Sequence, residues 1–171
     1  VRFIYASSAS VYGDGKDGFK EQSECEYPLN MYAFSKYQFD RYYNLISSAQ
    51  DSKAQVVGLR YFNVYGPQEN HKGKMASVAF HMFNQLKSGA PMKLFEGSDK
   101  FLRDFIHVDD VVDVNLFFME NPDKSGVFNC GTGKAASFQE LADAMKNIYP
   151  DAVLDYIPFP DELKGKYQEY T

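Results

Sequence analysis

Apolar residues in this chain occur either in short continuous runs or in stripes of helical spacing. The runs, rich in β-branched and aromatic residues, predict strands at residues 1–6, 55–59, 93–95, 104–108, 127–130 and 153–157. The stripes predict helices at residues 30–48, 75–86 and 109–121, and a fourth that opens at Ser137. Strands that alternate with helices predict an α/β fold with a mainly parallel sheet.

Capping signals fix where the helices begin. Asn30 and Asp109 are the predicted N-caps of the first and third helices, and Ser137 with Glu140 has the spacing of a capping box. Residues 7–26 are polar and contain glycine, and are predicted to be a loop. The core-facing positions predicted for the last three helices are Met75, Val78, Met82 and Leu86, then Val112, Leu116 and Met119, then Leu141, Met145 and Ile148.

The first predicted strand is apolar on both faces, which is typical of a buried parallel strand. Such a strand needs neighbours, and no earlier segment of the sequence supplies one. We therefore expect the chain to be the later part of a larger fold. Taken by itself, it is expected to expose an apolar sheet edge.

Composition narrows the class of protein. The 171 residues are 44% hydrophobic and 24% charged, as in soluble globular proteins, and no apolar run is long enough to cross a bilayer. A net charge of −5 argues against a nucleic-acid or anionic-membrane surface. Cys25 and Cys130 are too few for a disulfide framework, which predicts reduced thiols and a cytoplasmic location. The three histidines lack metal-ligand spacing, so no metal is expected.

Tyr32 and Lys36 are the first candidate catalytic pair. Their i,i+4 spacing places both side chains on one helix face. A free tyrosine has a pKa near 10, and a nearby ammonium favours the phenolate, so such a pair can transfer protons. Ser8, at the end of the first strand, could share a hydrogen bond to a substrate hydroxyl.

Each of these residues also has an ordinary structural explanation. A Tyr-x-x-x-Lys spacing arises about once by chance in a chain this rich in both residues. Ser8 could satisfy backbone groups at a strand end, and His81 could be a helix-surface histidine. Lys72 and Lys74 could be solvated loop cations. Residues 131–133 could be a phosphate loop or a plain turn.

The order and context of several motifs resemble the extended short-chain dehydrogenase/reductases. Three motifs are specific to that superfamily: ASSASVYG at 6–13, PLNMYAFSK at 28–36 and RYFNVYGP at 60–67. Four more narrow the resemblance to its ADP-L-glycero-D-manno-heptose 6-epimerase family: HKGKMASVAFH at 71–81, LFEGS at 94–98, RDFIHVDD at 103–110 and YIPFPDELKGKY at 156–167. The resemblance extends over essentially the whole chain.

The resemblance implies a role for each matching residue. Tyr32 would be the acid/base, assisted by Ser8, and Lys72 a second acid/base. The residues implied to contact the cofactor are Lys36, Val64 and Lys72. The residues implied to contact the sugar nucleotide are Asn63, His81, Phe95, Glu96, Gly97, Ser98, Arg103 and Tyr167. Arg103 is suited to a pyrophosphate, because its guanidinium binds oxyanions through two N–H groups.

The implied reaction inverts C6 of ADP-D-glycero-D-manno-heptose through a 6-keto intermediate, in the synthesis of heptose precursors of the lipopolysaccharide inner core. The implied cofactor is NADP, with NAD possible, because the residues that would select between them are missing from the chain. The implied fold is a partial Rossmann-like doubly wound parallel sheet (residues 1–66 and 104–130) with a smaller α/β substrate-binding domain (residues 67–103 and 131–171). A homo-oligomer of the full-length enzyme is also implied.

Lys74 departs from the family pattern, which often has a small hydroxyl residue at that position, so no substrate contact is carried over to it.

Three alternatives remain open. Another nucleotide-sugar epimerase or reductase of the superfamily would share most of the motifs. A 4,6-dehydratase is disfavoured, because Ala9 and Ser10 stand where an acidic residue is needed. A sugar-nucleotide-binding fragment without catalysis would be a third possibility.

Overall fold

A computed structural model of the protein describes residues 1–49, 54–161 and 170–171. The strands in this part of the chain are β1 (Arg2–Ser8), β2 (Gln55–Tyr61), β3 (Asn63–Tyr65), β4 (Met92–Phe95), β5 (Leu102–His107), β6 (Gly126–Cys130), β7 (Ala135–Ser137) and β8 (Leu154–Ile157). The α-helices are α1 (Met31–Ala49), α2 (Val78–Lys87), α3 (Val108–Glu120) and α4 (Phe138–Ile148). Short 3₁₀ helices cover Ala9–Tyr12, Ser23–Cys25 and Asn70–Met75.

The strands form three small sheets that are parallel except at one pairing. The first sheet has the order β1-β2-β6 and is fully parallel. In the second, β5 pairs in parallel with β3 and antiparallel with β7. The third pairs β4 with β8 in parallel. The predicted α/β class with a mainly parallel sheet is confirmed, whereas the short strands β3 and β7 were not predicted.

Two larger core clusters lie on either side of β5. The first joins β2, β5, β6 and α3, and consists of Val57, Leu59, Ile106, Val111, Phe118 and Cys130. The second joins α2, β4 and α4, and consists of Met82, Met92, Leu94, Phe138 and Ala142. The division of the chain into a Rossmann-like domain and a substrate-binding domain stays a prediction. No helix among the described residues is both long and apolar enough to cross a membrane.

The predicted inward face of α3 is wrong, whereas most of the inward positions predicted for α2 and α4 lie in or against the second core cluster. On α3, Val112, Leu116 and Met119 are about half exposed, while Val111 and Phe118 are buried. Apolar residues lie on most sides of this helix, so their spacing alone did not select the buried face. The predicted start is also wrong, because α3 begins at Val108 with His107 as its N-cap rather than after Asp109.

The other helix errors fall at helix ends. Met75 precedes Ser77, the N-cap of α2, and is therefore outside that helix and 86% exposed. Ile148 is the last residue of α4 and is 73% exposed. The Asn30 cap is confirmed by a 2.9 Å hydrogen bond from the Ala33 amide to Oδ1, and the Ser137–Glu140 capping box is present in full.

The segment at residues 7–26 is more ordered than the predicted polar loop. It contains two 3₁₀ helices, and Val11, Tyr12 and Cys25 are buried in a third core cluster. Gly13 has a φ of 62°, and a Cβ there would lie 2.0 Å from the Tyr27 carbonyl oxygen. A residue with a side chain could not turn the backbone so close to Tyr27.

β1 is an edge strand of the described sheet. It pairs with β2 on one side, and Phe3 is 47% exposed. The prediction of a strand buried on both faces is therefore wrong for the described chain, and the predicted apolar edge is present.

A buried guanidinium ties β2 to α1. Arg60 is 1% exposed, and its Nε donates to Oδ2 of Asp40 on α1 at 2.9 Å. Its two terminal nitrogens donate to the Tyr12 hydroxyl and to the Glu26 carboxylate. Burial lowers the pKa of Arg60, but these partners outweigh it and keep the pKa above its ordinary value.

Asp40 also binds β1. Its two carboxylate oxygens accept hydrogen bonds from the Tyr5 hydroxyl at 2.9 Å and the Ser7 hydroxyl at 2.8 Å. Burial and the neighbouring Asp40 carboxylate raise the pKa of Tyr5, so that this hydroxyl remains a donor. One carboxylate thus fixes α1 against both β1 and β2.

Replacing Arg60 with methionine removes the cation but retains an apolar side chain of similar length. Asp40 and Glu26 are then buried without their partner, and we expect the free energy of unfolding of the full-length protein to fall by about 3–5 kcal/mol. Urea denaturation followed by circular dichroism measures the loss. The matched control is Arg41→Met, which removes an exposed guanidinium and should cost about 0.5 kcal/mol or less. Equal losses in both variants would contradict the assigned role of Arg60.

Candidate active site

Tyr32 and Lys36 lie together on the first turns of α1. The Lys36 ammonium lies 5.8 Å from the centroid of the Tyr32 ring. It also donates a 2.8 Å hydrogen bond to the Ala6 carbonyl on β1, two residues before Ser8. Tyr32 is 58% exposed, so its hydroxyl is open to a ligand. The two side chains therefore share one helix face, as the spacing predicted, and the Lys36 contact places that face near the carboxyl end of β1.

Ser8 is the last residue of β1 and the N-cap of the following 3₁₀ helix. Its hydroxyl oxygen accepts from the Ser10 amide at 3.2 Å and from the Ser10 hydroxyl at 2.9 Å. The structural explanation for Ser8 is thus present, yet the side chain is only half-buried and retains its own proton to donate. In the register of the sheet, Ser8 pairs with Tyr61, which is two residues before Asn63.

Asn63 and Val64 begin β3 beyond the end of β2. Asn63 Nδ2 donates to the Thr171 hydroxyl at 3.1 Å. Val64 is partly buried and packs against the first core cluster. Asn63 therefore lies just beyond the carboxyl end of β2, whereas the side chain of Val64 packs in the core.

Lys72 lies in a separate loop, within the 3₁₀ segment Asn70–Met75. Its ammonium donates to Glu69 Oε2 at 3.2 Å, and its side chain is 42% exposed. Glu69 is itself 4% exposed. Lys72 is thus paired with a buried carboxylate. From the sequence alone, Lys72 could also have been a solvated loop cation.

Three of the predicted substrate-binding residues line one cavity. The cavity has a volume of about 180 Å³ and lies between α2, β4 and the start of α4. His81, Phe95 and Ser98 line it. The wall is otherwise mostly apolar, with Val78, Met82, Gln85, Lys93, Leu94, Phe101, Phe138 and Ile157.

Glu96 and Gly97 form the tight turn that follows β4. Gly97 has a φ of 79°, a left-handed conformation that favours glycine. The turn closes through hydrogen bonds from the Ser98 amide to Phe95 and from the Lys100 amide to Gly97. Glu96 and Gly97 are exposed, and the turn places Ser98 inward at 2% exposure.

Arg103 is buried on β5 beside the cavity rather than in its wall. Its Nη1 donates to the Leu102 carbonyl at 2.8 Å, and its guanidinium lies 5.5 Å from the centroid of the Phe138 ring. Since Phe138 lines the cavity, the Phe138 side chain lies between the guanidinium and the cavity. Tyr167, the remaining predicted contact, lies outside the described residues.

The turn at residues 131–133 is held by a buried aspartate. Asp104 accepts hydrogen bonds from the Thr132 amide and hydroxyl at 2.8 and 2.6 Å, and from the Gly133 amide at 2.7 Å. The amides that a phosphate would need are therefore already occupied. This segment is a turn rather than a phosphate loop. His107 contacts the Tyr65 ring edge-on.

The polar groups of Lys36 and Tyr32 suit one end of a nicotinamide dinucleotide. Lys36 uses one ammonium proton on Ala6 and has two more to offer, and Tyr32 is exposed beside it, which fits the ribose end of such a cofactor. Glycines 13, 15 and 18 have the spacing G-x-G-x-x-G after β1, but no α-helix opens directly behind them. A pyrophosphate site needs that helix N-terminus, so these glycines do not supply one.

The structure therefore places the predicted residues that it describes in three groups. Ser8, Tyr32, Lys36 and Asn63 lie near the carboxyl ends of β1 and β2, and Lys72 lies in the loop after β3. The third group lies in or beside the cavity and consists of His81, Phe95, Glu96, Gly97, Ser98 and Arg103. Two residues of the site, Glu69 and Phe138, were not predicted from the sequence. The three-residue spacing of Glu69 and Lys72 within a helical turn was a usable signal. Phe138 carried no signal apart from its place after a helix cap.

The chain matches the family model of the NAD dependent epimerase/dehydratase family over residues 1–131. It is 67% identical over its whole length to an ADP-L-glycero-D-manno-heptose-6-epimerase of Brachyspira hyodysenteriae, and spans 54% of that protein. The chain thus covers about half the length of this curated relative.

Solved structures agree with this assignment. The Helicobacter pylori ADP-L-glycero-D-manno-heptose-6-epimerase matches with a TM-score of 0.82 and 38% identity, over 92% of this chain and 49% of that protein. A UDP-N-acetylglucosamine 4-epimerase of Methanobrevibacter ruminantium matches with a TM-score of 0.83 and 26% identity, over 99% of this chain and 53% of that protein. The fold is that of the Rossmann-like epimerases, and the chain belongs to the NAD dependent epimerase/dehydratase family.

Proposed function

We propose that the protein carrying this chain inverts C6 of ADP-D-glycero-D-manno-heptose through a transient ketone, in the synthesis of heptose precursors of the lipopolysaccharide inner core. The observation that carries the proposal is the position of Tyr32 and Lys36, side by side and open at the carboxyl end of β1. The 67% identity to a heptose epimerase supports the choice of substrate.

The chemistry explains why such a site is needed. C6 of the heptose has no adjacent carbonyl group, so its hydrogen is not acidic and direct deprotonation is difficult. When bound, NADP would supply a reversible hydride acceptor at that carbon. Tyr32 would accept the proton of the C6 hydroxyl as the ketone forms, and the Lys36 ammonium would favour the phenolate of Tyr32. Ser8 would share the hydrogen bond to the reacting oxygen.

Inversion needs a second proton donor. If the ketone turns its opposite face toward the same hydride position, its oxygen points away from Tyr32. A second donor is then useful on the other side of the substrate. We assign this role to Lys72, in its separate loop. The cavity lined by His81, Phe95 and Ser98 would hold the nucleotide portion of the substrate, with the Arg103 guanidinium adjacent.

The remaining parts of the proposal concern the whole protein. NADP is proposed over NAD by resemblance, and mass spectrometry of the cofactor released on denaturation distinguishes the two. A homo-oligomer is proposed for the full-length enzyme. The buried, unlinked thiols of Cys25 and Cys130 support a cytoplasmic location. Burial raises the pKa of Cys130 to about 11, so this thiol stays protonated at neutral pH.

Substrate choice is tested on the full-length protein with a panel of sugar nucleotides. We expect ADP-D-glycero-D-manno-heptose to be converted into a mixture of its two C6 epimers, observed by proton NMR. UDP-glucose and UDP-N-acetylglucosamine are the comparison substrates, and should remain unchanged at the same enzyme concentration. Conversion of a UDP-sugar without conversion of the heptose would favour a 4-epimerase and reject the proposed substrate.

Tyr32→Phe removes only the hydroxyl that would transfer the proton. We expect kcat to fall by about 10²–10⁴-fold, because general acid–base catalysis typically contributes that much. The melting temperature should stay within the error of wild type, since the Tyr32 side chain is largely exposed. Tyr42→Phe, at an exposed position farther along α1, is the control and should retain activity. A Tyr32→Phe enzyme with wild-type turnover would remove Tyr32 from the mechanism.

Lys72→Met tests the second acid/base. The change keeps an unbranched side chain but removes the ammonium, and we expect kcat to fall by about 10²–10⁴-fold. Lys74→Met is matched to it in chemistry and lies two residues away on the same exposed segment. It should leave kcat within about twofold. Similar losses in both variants would indicate a general charge effect of the loop rather than a specific role of Lys72.

A further inference from the structure

Glu69 is buried at the base of the loop that carries Lys72. One carboxylate oxygen accepts from the Gly66 amide at 3.3 Å and from the Ser77 hydroxyl at 2.7 Å. The other accepts from the Ser77 amide at 2.8 Å and from the Lys72 ammonium at 3.2 Å. A single carboxylate therefore joins the start of the loop, its end and the proposed catalytic lysine.

Lys72 is one of the groups that stabilise the charge on Glu69. Burial raises the pKa of Glu69, but the hydrogen bonds from Ser77 and Lys72 outweigh it and hold the pKa below its usual value. The loop contains three basic side chains, His71, Lys72 and Lys74. Within the described part of the chain, only Lys72 among them forms an ion pair. The carboxylate thus pairs with one of three neighbouring basic side chains.

Backbone contacts also favour Lys72 over Lys74 as the partner of Glu69. The Lys72 amide donates to the Glu69 carbonyl at 2.9 Å, so Lys72 is bound to Glu69 through both main chain and side chain. Gly73, directly after Lys72, has a φ of 53° and breaks the 3₁₀ segment at that point. The chain therefore changes direction immediately after Lys72, and Lys74 does not follow it toward Glu69.

We propose that Glu69 is a positioning residue for Lys72, which fixes the ammonium in one place while leaving it free to act on substrate. An ammonium has three N–H donors, and Glu69 engages one of them, so two remain for a substrate oxygen. This inference rests on the proposed role of Lys72 as an acid/base. It adds a fixed orientation to that role, because an unpaired lysine with four rotatable bonds samples many positions.

The alternative is that Glu69 only closes the loop. Its three contacts to Gly66 and Ser77 would suffice for that role, and a loop-closing residue would affect stability and substrate binding together. A positioning residue should instead act on kcat through Lys72 alone. The two roles can be separated by a double-mutant cycle.

The experiment measures kcat, KM and melting temperature for Glu69→Gln, Lys72→Met and the double variant of the full-length enzyme. Glu69→Gln keeps the shape of the side chain but removes its charge. We expect it to lower kcat by about 10- to 100-fold, as for a small misplacement of a reacting group, with KM within about twofold. In the Lys72→Met background the same change should have no further effect on kcat.

Ser77→Ala is the structural control. It removes one partner of Glu69 and the N-cap hydroxyl of α2 but leaves the contact between Glu69 and Lys72. It should lower the melting temperature and leave kcat within about twofold. If Glu69→Gln does not fold, the cycle is run with Glu69→Asp, which keeps the charge but withdraws it from Lys72 by one methylene.

The outcomes separate the two proposals. Wild-type kcat in Lys72→Met would reject the acid/base role of Lys72 itself. A slow Lys72→Met enzyme with a fully active Glu69→Gln enzyme would reject the positioning role alone. An equal loss from Glu69→Gln with and without Lys72 would show that Glu69 acts through loop closure.

Discussion

The candidate site depends on one buried charge, the guanidinium of Arg60. Taking a cation out of water is costly, and here the cost is offset by two carboxylates and a hydroxyl on three different segments. Asp40, the partner on α1, lies four residues after Lys36 and eight after Tyr32, so all three side chains share one face of the helix. The end of that face at Asp40 is fixed against β1 and β2, and the end at Tyr32 is exposed. A helix held in this way presents Tyr32 in a defined position, and the hydrogen bond from the Lys36 ammonium to the Ala6 carbonyl fixes Lys36 as well.

Buried carboxylates serve as anchors in two further places. Asp104 binds the backbone of the turn at residues 131–133, and Glu69 binds both ends of the loop at residues 66–77. Loops at the carboxyl ends of parallel strands carry many free amide donors, and a carboxylate can accept several of them at once. The result is that three segments around the site are held by buried carboxylates in addition to any apolar packing. For Glu69 the same carboxylate also binds a cation, and this feature distinguishes it from Asp104.

Local signals in the sequence predicted the parts of the structure that local interactions determine. The Asn30 cap, the capping box at Ser137 and the shared helix face of Tyr32 and Lys36 all follow from spacing along a few residues. The buried face of α3 could not be predicted in this way, because apolar residues cover most of that helix and only its packing against the first core cluster selects Val111 and Phe118. The cavity beside His81 and Phe95 joins elements far apart in sequence. The partners of Arg60 are also distant, between 20 and 48 residues away.

Backbone similarity does not distinguish between epimerases that act on different sugars. A heptose 6-epimerase and an N-acetylglucosamine 4-epimerase match this chain with nearly equal TM-scores of 0.82 and 0.83, although their identities to it are 38% and 26%. The same framework therefore accommodates substrates that are inverted at different carbons. Since Tyr32 and Lys36 belong to the motifs specific to the superfamily, they cannot by themselves set the carbon that reacts. Within this chain, we propose the loop at residues 66–77 as a place where the substrates are distinguished, because a buried carboxylate and its lysine partner lie there.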